Sequence, residues 1–164
     1  MDQHPILILT TGGTIDKAYF DALSEYQIVD SGIPALLREA RVTLPFRVVE
    51  LMRKDSLELT QADRTLIASM AREAEESRII ITHGTDTMTD TAKVLAAEVP
   101  NKTIVLTGAL SPARFAETDA QFNLGMAFAT AQVAPQGIYI AMSGQVFDGL
   151  KVRKDRAAGK FVAI

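Results

Sequence analysis

The chain has 164 residues, 48% hydrophobic and 23% charged, the proportions of one globular domain large enough for a sizeable core. A formal net charge of −3 argues against a nucleic-acid partner, because phosphate-backbone binders carry a basic surface. Cysteine is absent, which excludes disulfides and thiolate chemistry. With only His4 and His83, and no carboxylates at calcium-loop spacing, neither a metal nor a cofactor is expected.

No apolar run approaches a membrane span, and the stretch Met1 to Pro5 lacks the basic and apolar regions of a leader. The expectation is a cytoplasmic protein without a membrane partner. Residues 6 to 11, Ile-Leu-Ile-Leu-Thr-Thr, read as a buried strand of a parallel sheet. Gly12 and Gly13 break it and deliver Thr14 at the strand's carboxyl end, where α/β sheets bind ligands. Residues 15 to 31 form a long connection. Such connections are commonly lids or binding loops, and a lid over the strand end is the preferred reading. The alternative is a short hairpin that packs Tyr19 and Phe20 on the surface.

A helix is predicted from Pro34 to about Arg41, and a second strand over 46 to 52. Thr60 to Asp63 resembles a capping box with Asp in the Glu position. It opens a helix with Leu66, Ile67, Met70, Ala71 and Ala74 on its apolar face. A third strand at 79 to 81 runs into Thr82-His83-Gly84-Thr85-Asp86-Thr87, and a helix follows to about Glu98. The fourth strand covers 103 to 106, and Gly108, Ser111 and Pro112 mark a loop. Residues 119 to 132 predict a helix apolar nearly all round, which suggests burial on two sides or an interface. A fifth strand covers 138 to 142, and the remainder is a basic tail ending in Phe161 to Ile164. Alternating strands and helices predict a three-layer α/β/α sandwich with a mainly parallel, Rossmann- or flavodoxin-like sheet.

Two glycine turns at strand ends carry the chemistry: Thr11-Gly12-Gly13-Thr14 and His83-Gly84-Thr85-Asp86. Singly, each has a bland alternative. The first could be a phosphate loop, although it lacks a Gly-x-Gly-x-x-Gly or Gly-Lys-Ser/Thr pattern. In the second, Asp86 or Thr87 could be only a helix cap. His83 suits a hydrogen-bonded structural histidine better than a base.

Together the turns resemble the two signature motifs of the bacterial-type L-asparaginases, threonine amidohydrolases that cut asparagine to aspartate and ammonia. The likeness extends to Tyr26, Asp55-Ser56-Leu57-Glu58, Gly108-Ala109-Leu110, Phe122-Asn123-Leu124, and Asp148-Gly149 followed by Lys154. It covers residues 1–164 as a single N-terminal-type catalytic domain, without the family's C-terminal domain.

The resemblance implies Thr14 as nucleophile, hydrogen-bonded by Tyr26 from the lid. It implies Thr85, Asp86 and Lys154 as the second catalytic group, with Lys154 as base behind Thr85. Ser56 would hold the substrate's α-carboxylate and Asp86 its α-ammonium. A carbonyl around Ala109 would meet the carboxamide nitrogen, and N–H groups beside Thr14 and Thr85 would stabilise the oxyanion. Gly13, Gly84, Leu57 and Glu58 complete the expected substrate shell. The chemistry suits these residue types, since a threonine hydroxyl attacks an amide only when a base takes its proton. A lysine is such a base only when neutral. We expect the substrate's ammonium to offset Asp86 and so release Lys154.

Two departures matter. Leu57 stands where many two-domain members carry a polar residue, so a side-chain partner for the substrate is lost. The acidic residue that a neighbouring subunit's C-terminal domain contributes has no counterpart, and Asp16, Asp21, Glu25 or Glu58 could replace it. Weaker substrate binding and open asparagine–glutamine selectivity follow. Other readings are a hydrolase of a related small amide, a silent amino-acid-binding module, and a nucleotide-binding domain. A homo-oligomer, dimer or tetramer, is expected from the apolar helix and from the resemblance.

Overall fold

The first strand, β1 (Ile6–Gly12), is buried at every position, and its side chains alternate between two separate cores. In the computed structural model, which describes residues 5–164, Leu7 and Leu9 enter one core while Ile6 and Ile8 enter the other. Residues 1–4, including His4, lie outside the described residues. The same alternation recurs in β5 (Arg78–Thr82) and β6 (Thr103–Thr107), so the sheet is covered on both faces.

Helices α2 (Gln61–Glu73) and α3 (Met88–Glu98) close the face of Leu7, Ile79 and Ile104. Helices α1 (Ile33–Glu39) and α4 (Ala120–Val133) close the face of Ile6, Ile80 and Val105. With β4 (Phe46–Lys54), β7 (Gly137–Met142) and β8 (Gln145–Asp148), the sheet runs β4-β1-β5-β6-β7-β8. Its first five strands are parallel, and β8 is antiparallel to β7. This is a three-layer α/β sandwich.

The chain leaves β1 toward β4 on one side and then continues through β5, β6 and β7 on the other. The reversal opens a crevice between the carboxyl ends of β1 and β5, the place where such folds bind ligands. Both glycine turns border that crevice.

Several expectations shift. The segment after Thr14 is a 3-10 turn (Thr14–Asp16) followed by an antiparallel hairpin, β2 (Lys17–Phe20) and β3 (Glu25–Ile28). The hairpin alternative therefore describes it, with Tyr19, Phe20, Leu23 and Tyr26 exposed. Helix α1 stops at Glu39 rather than Arg41. Arg41 takes a left-handed conformation (φ 54°), and the N–H groups of Arg41 and Val42 donate to Arg38 and Leu37 carbonyls in a Schellman closure. Leu66 faces solvent; Ile67, Ala68 and Ala71 are the buried face of α2.

The capping box is present. Asp63 N–H donates to Thr60 Oγ1 (3.2 Å) and Thr60 N–H donates to Asp63 Oδ2 (2.8 Å). The basic tail carries strands of its own. It forms β8 and a second hairpin, β9 (Val152–Asp155) with β10 (Lys160–Ala163). Among the described residues no helix is long and apolar enough to cross a membrane.

Candidate active site

Gly12 and Gly13 hold φ angles of 104° and 84°, a region that a side-chain-bearing residue enters only with strain. The constraint is also steric. A Cβ on Gly13 would lie 2.5 Å from the backbone nitrogen of Gly84, and one on Gly84 would lie 2.7 Å from the Cβ of Ser56. The loops after β1, β5 and β4 therefore touch backbone to backbone. This apposition sets Thr14, Thr85 and Ser56 around one crevice.

Four polar side chains fasten the second turn. His83 is wholly buried; its Nδ1 lies 2.6 Å from the Gly84 carbonyl and its Nε2 lies 2.7 Å from Thr91 Oγ1. A carbonyl only accepts, so Nδ1 carries the proton and Nε2 accepts from the Thr91 hydroxyl. Burial pushes the imidazole down to about 4, so it is neutral at pH 7. It is a strut, as the sequence suggested. Ser56 Oγ accepts from the Thr87 N–H (3.3 Å), and Thr87 Oγ1 donates to the Ser56 carbonyl (2.7 Å), which ties the β4 loop to the start of α3.

Lys154 reaches the same place from far down the chain. Its Nζ donates to Thr85 Oγ1 (2.7 Å) and to Asp86 Oδ1 (2.8 Å). The hairpin register explains why. Lys154 pairs directly with Phe161, which is 1% exposed, so the lysine shares the inward face with a core side chain. Its neighbour on that face, Val152, is buried as well. Asp55 caps the short turn at Ser56–Glu58 through the Leu57 N–H. Partial burial pushes its carboxyl up, but this N–H and the Lys17 ammonium at 3.2 Å outweigh that and hold it below its ordinary value.

The residues expected from the sequence fall into two groups. Gly13, Gly84, Ser56, Thr85, Asp86 and Lys154 are joined by contacts or hydrogen bonds, and Thr14 follows Gly13 directly. Ala109 is buried beside them, on a loop fixed where Gly108 abuts the His83 carbonyl. Tyr26, Leu57 and Glu58 stand apart. Leu57 is 66% exposed. Tyr26 and Glu58 line a neighbouring cleft of about 420 Å³ whose walls include neither Thr85 nor Lys154.

The Tyr26 ring packs on Tyr19 and Phe115, with centroids 5.0 and 5.9 Å away, and no hydrogen bond joins it to Thr14. The expected Tyr26–Thr14 bond is thus not made with the hairpin in this position. Asp16 is also unavailable as a replacement acid. It is 1% exposed, its Oδ1 accepts from Ser31 Oγ and Gly32 N–H, and burial raises its pKa.

Sequence reasoning missed three supports. Asn123 donates from Nδ2 to the Gly108 carbonyl (2.9 Å) and to Asp119 Oδ2 (2.8 Å). Asp119 in turn accepts from the N–H groups of Leu110 and Ser111, which fixes the Ala109 loop. An asparagine in a helix otherwise apolar nearly all round was the available signal, because a buried amide needs partners. Arg156 is the third support, with Nε 3.5 Å from Asp86 Oδ1. Its place in a basic tail gave no hint of that contact.

Residues 5–160 match the family model described as "Asparaginase, N-terminal". The chain is 33% identical over 163 residues to an L-asparaginase of Thermococcus kodakarensis, covering 94% of this chain and 48% of that protein. It is 29% identical over 162 residues to a glutaminase-asparaginase of Pseudomonas fluorescens, covering 91% and 45%. The solved structure of the thermostable L-asparaginase from Thermococcus kodakarensis superposes with a TM-score of 0.85 at 29% identity, over 98% of this chain and 51% of that one. The chain thus spans about half the length of the relatives it matches. Matched along nearly its whole length, the chain belongs to the asparaginase family, through that family's N-terminal domain.

Proposed function

We propose that this domain hydrolyses the side-chain amide of a small amino-acid amide, asparagine in the first instance, to a carboxylate and ammonia. Thr14 Oγ1 attacks the carboxamide carbon as its proton passes through Thr85 to the Lys154 amine, which returns it to the departing nitrogen. The tetrahedral oxyanion is held by N–H groups of the two glycine turns, donors of a kind that contribute about 3 kcal/mol each. Collapse expels ammonia and leaves a Thr14 ester. Water, deprotonated through Thr85 and Lys154, then attacks the ester and regenerates the threonine. Ser56 is assigned to the α-carboxylate, Asp86 to the α-ammonium and the Ala109 carbonyl to the leaving nitrogen.

The observation that carries this reading is the Lys154 amine bound at once to Thr85 and Asp86, beside the paired Gly13 and Gly84 backbones. A pure amino-acid binder needs no amine on a threonine hydroxyl, which disfavours the silent-module reading. The asparaginase and glutaminase-asparaginase names among the relatives support an amide substrate and leave both amides to be assayed. Ammonia release from asparagine and from glutamine, with and without Thr14→Ala, tests the proposal. Release that Thr14→Ala abolishes is expected, together with a Thr14 acyl adduct trapped by acid quench and seen by mass spectrometry. Undiminished release by Thr14→Ala would overturn it.

We further propose that copies of this chain associate through the outer side of α4, where Phe122 and Val133 are 66% and 82% exposed. Sedimentation of the wild-type chain against Phe122→Glu tests this.

A further inference from the structure

Asp86 is the carboxylate assigned above to the substrate's ammonium, yet two side chains of this chain already share one of its oxygens. Lys154 Nζ lies 2.8 Å and Arg156 Nε 3.5 Å from Asp86 Oδ1. The other local acids make their bonds elsewhere. Asp55 is paired with Lys17, and Asp16 is buried and held by Ser31 and Gly32. Among the described residues, every ion pair made by Lys154 or Arg156 ends on Asp86. Two basic side chains therefore converge on one carboxylate oxygen.

The ammonium of a zwitterionic amino acid has to compete with Arg156 for Asp86. A substrate bearing only a carboxylate and an amide does not. Arg156 keeps its charge at any working pH, and its side chain is 66% exposed, so its remaining N–H donors are free to meet a carboxylate. It also supplies, from within the chain, the positive charge beside Asp86 that a substrate ammonium would otherwise bring.

We propose that Arg156 is a specificity-determining residue that competes with the substrate's α-ammonium for Asp86. The site then admits mono-amides of unaminated dicarboxylic acids, of which succinamate is the four-carbon case, beside asparagine. The proposal rests on the amidohydrolase reading of the same site for its choice of amide. The reaction balances as before, succinamate and water giving succinate and ammonia.

The test compares succinamate with asparagine in the wild-type chain, Arg156→Ala and Arg156→Lys. Each is measured by kcat/KM for ammonia release and, in a Thr14→Ala background, by calorimetric Kd. Wild type should bind both compounds and release ammonia from both. Arg156→Ala should shift both preference ratios toward asparagine by about tenfold, or about 1.4 kcal/mol, chiefly through KM. Arg156→Lys should restore most of the shift, which a loss of folding would not do.

A ratio within twofold of wild type in Arg156→Ala, with ammonia still released, overturns the assignment of Arg156 and leaves the amidohydrolase reading standing. A tenfold shift in the Kd ratio without ammonia release from either compound supports the assignment and removes the hydrolytic reading. Failure to bind either compound overturns both.

Discussion

Replacing Gly13 by alanine probes the contact on which the whole crevice depends. The new Cβ would sit 2.5 Å from Gly84 N and 2.6 Å from Gly84 Cα, and both neighbours are backbone atoms that cannot swing aside. Ordinary contact needs about 3.4 Å or more, so the turns after β1 and β5 must part by about 0.9 Å. The residue must also hold a φ of 84°, which costs about 1–3 kcal/mol without glycine. A stability loss of about 2–4 kcal/mol follows. A displacement near 1 Å between a nucleophile and its partners costs about 100-fold in rate, so ammonia release should fall by that factor while the fold persists.

Urea unfolding and an ammonia assay at saturating substrate give the two numbers. Two further glycines calibrate them. Gly159 has a φ of 60° but open space around its Cβ position, so Gly159→Ala should lose about 1–2 kcal/mol and keep full activity. Gly125 lies within α4 with nothing within 4 Å, so Gly125→Ala should gain about 1 kcal/mol. A Gly13→Ala protein within threefold of wild-type activity, and destabilised by less than 1 kcal/mol, would refute the claim that the two turns are rigidly apposed.

Lys154→Met removes the amine that bridges Thr85 and Asp86, and turnover should drop by about 10²–10⁴. Its thermal midpoint should move only slightly, because Asp86 is 30% exposed and water can take the place of the ion pair. Asn123→Leu strands the Gly108 carbonyl and one bond to Asp119, at a cost of about 1–3 kcal/mol. Hydrogen exchange should show faster loss at the Leu110 and Ser111 amides. The imidazole of His83 lies at about 4 in the fold against 6.5 when unfolded, so the unfolded chain binds the extra proton between those values. Stability should therefore fall as pH drops from 6.5 to 4, by about 3 kcal/mol, and His83→Gln should flatten that part of a denaturation-versus-pH profile. Asp16 has its pKa raised by burial and acts in the opposite sense. The fold gains stability from it as pH falls through its raised value toward 3.8.

The sequence alone determined the sheet's interior and the two turns that serve it. Runs such as Ile79-Ile80-Ile81 and Thr103 to Leu106 are too apolar to be anything but strands covered on both faces. Gly12, Gly13 and Gly84 punctuate those runs. The capping box at Thr60 and Asp63 was legible for the same reason, since its chemistry lies within four residues. Those signals are local, and local chemistry is what a sequence displays.

Tertiary structure alone decided what came from a distance. Lys154 looked like one charge in a basic tail until the register of β9 with β10 set it opposite buried Phe161 and turned it toward Thr85. Arg156 was equally plain until the same hairpin carried it to Asp86. Tyr26 shows the converse. Its number fits a lid tyrosine, but its ring rests on Tyr19 and Phe115, because a hairpin orients its side chains by pairing and packing and not by order along the chain. The contacts of Asp86 join the turn after β5 to one late hairpin, and only the folded chain makes them.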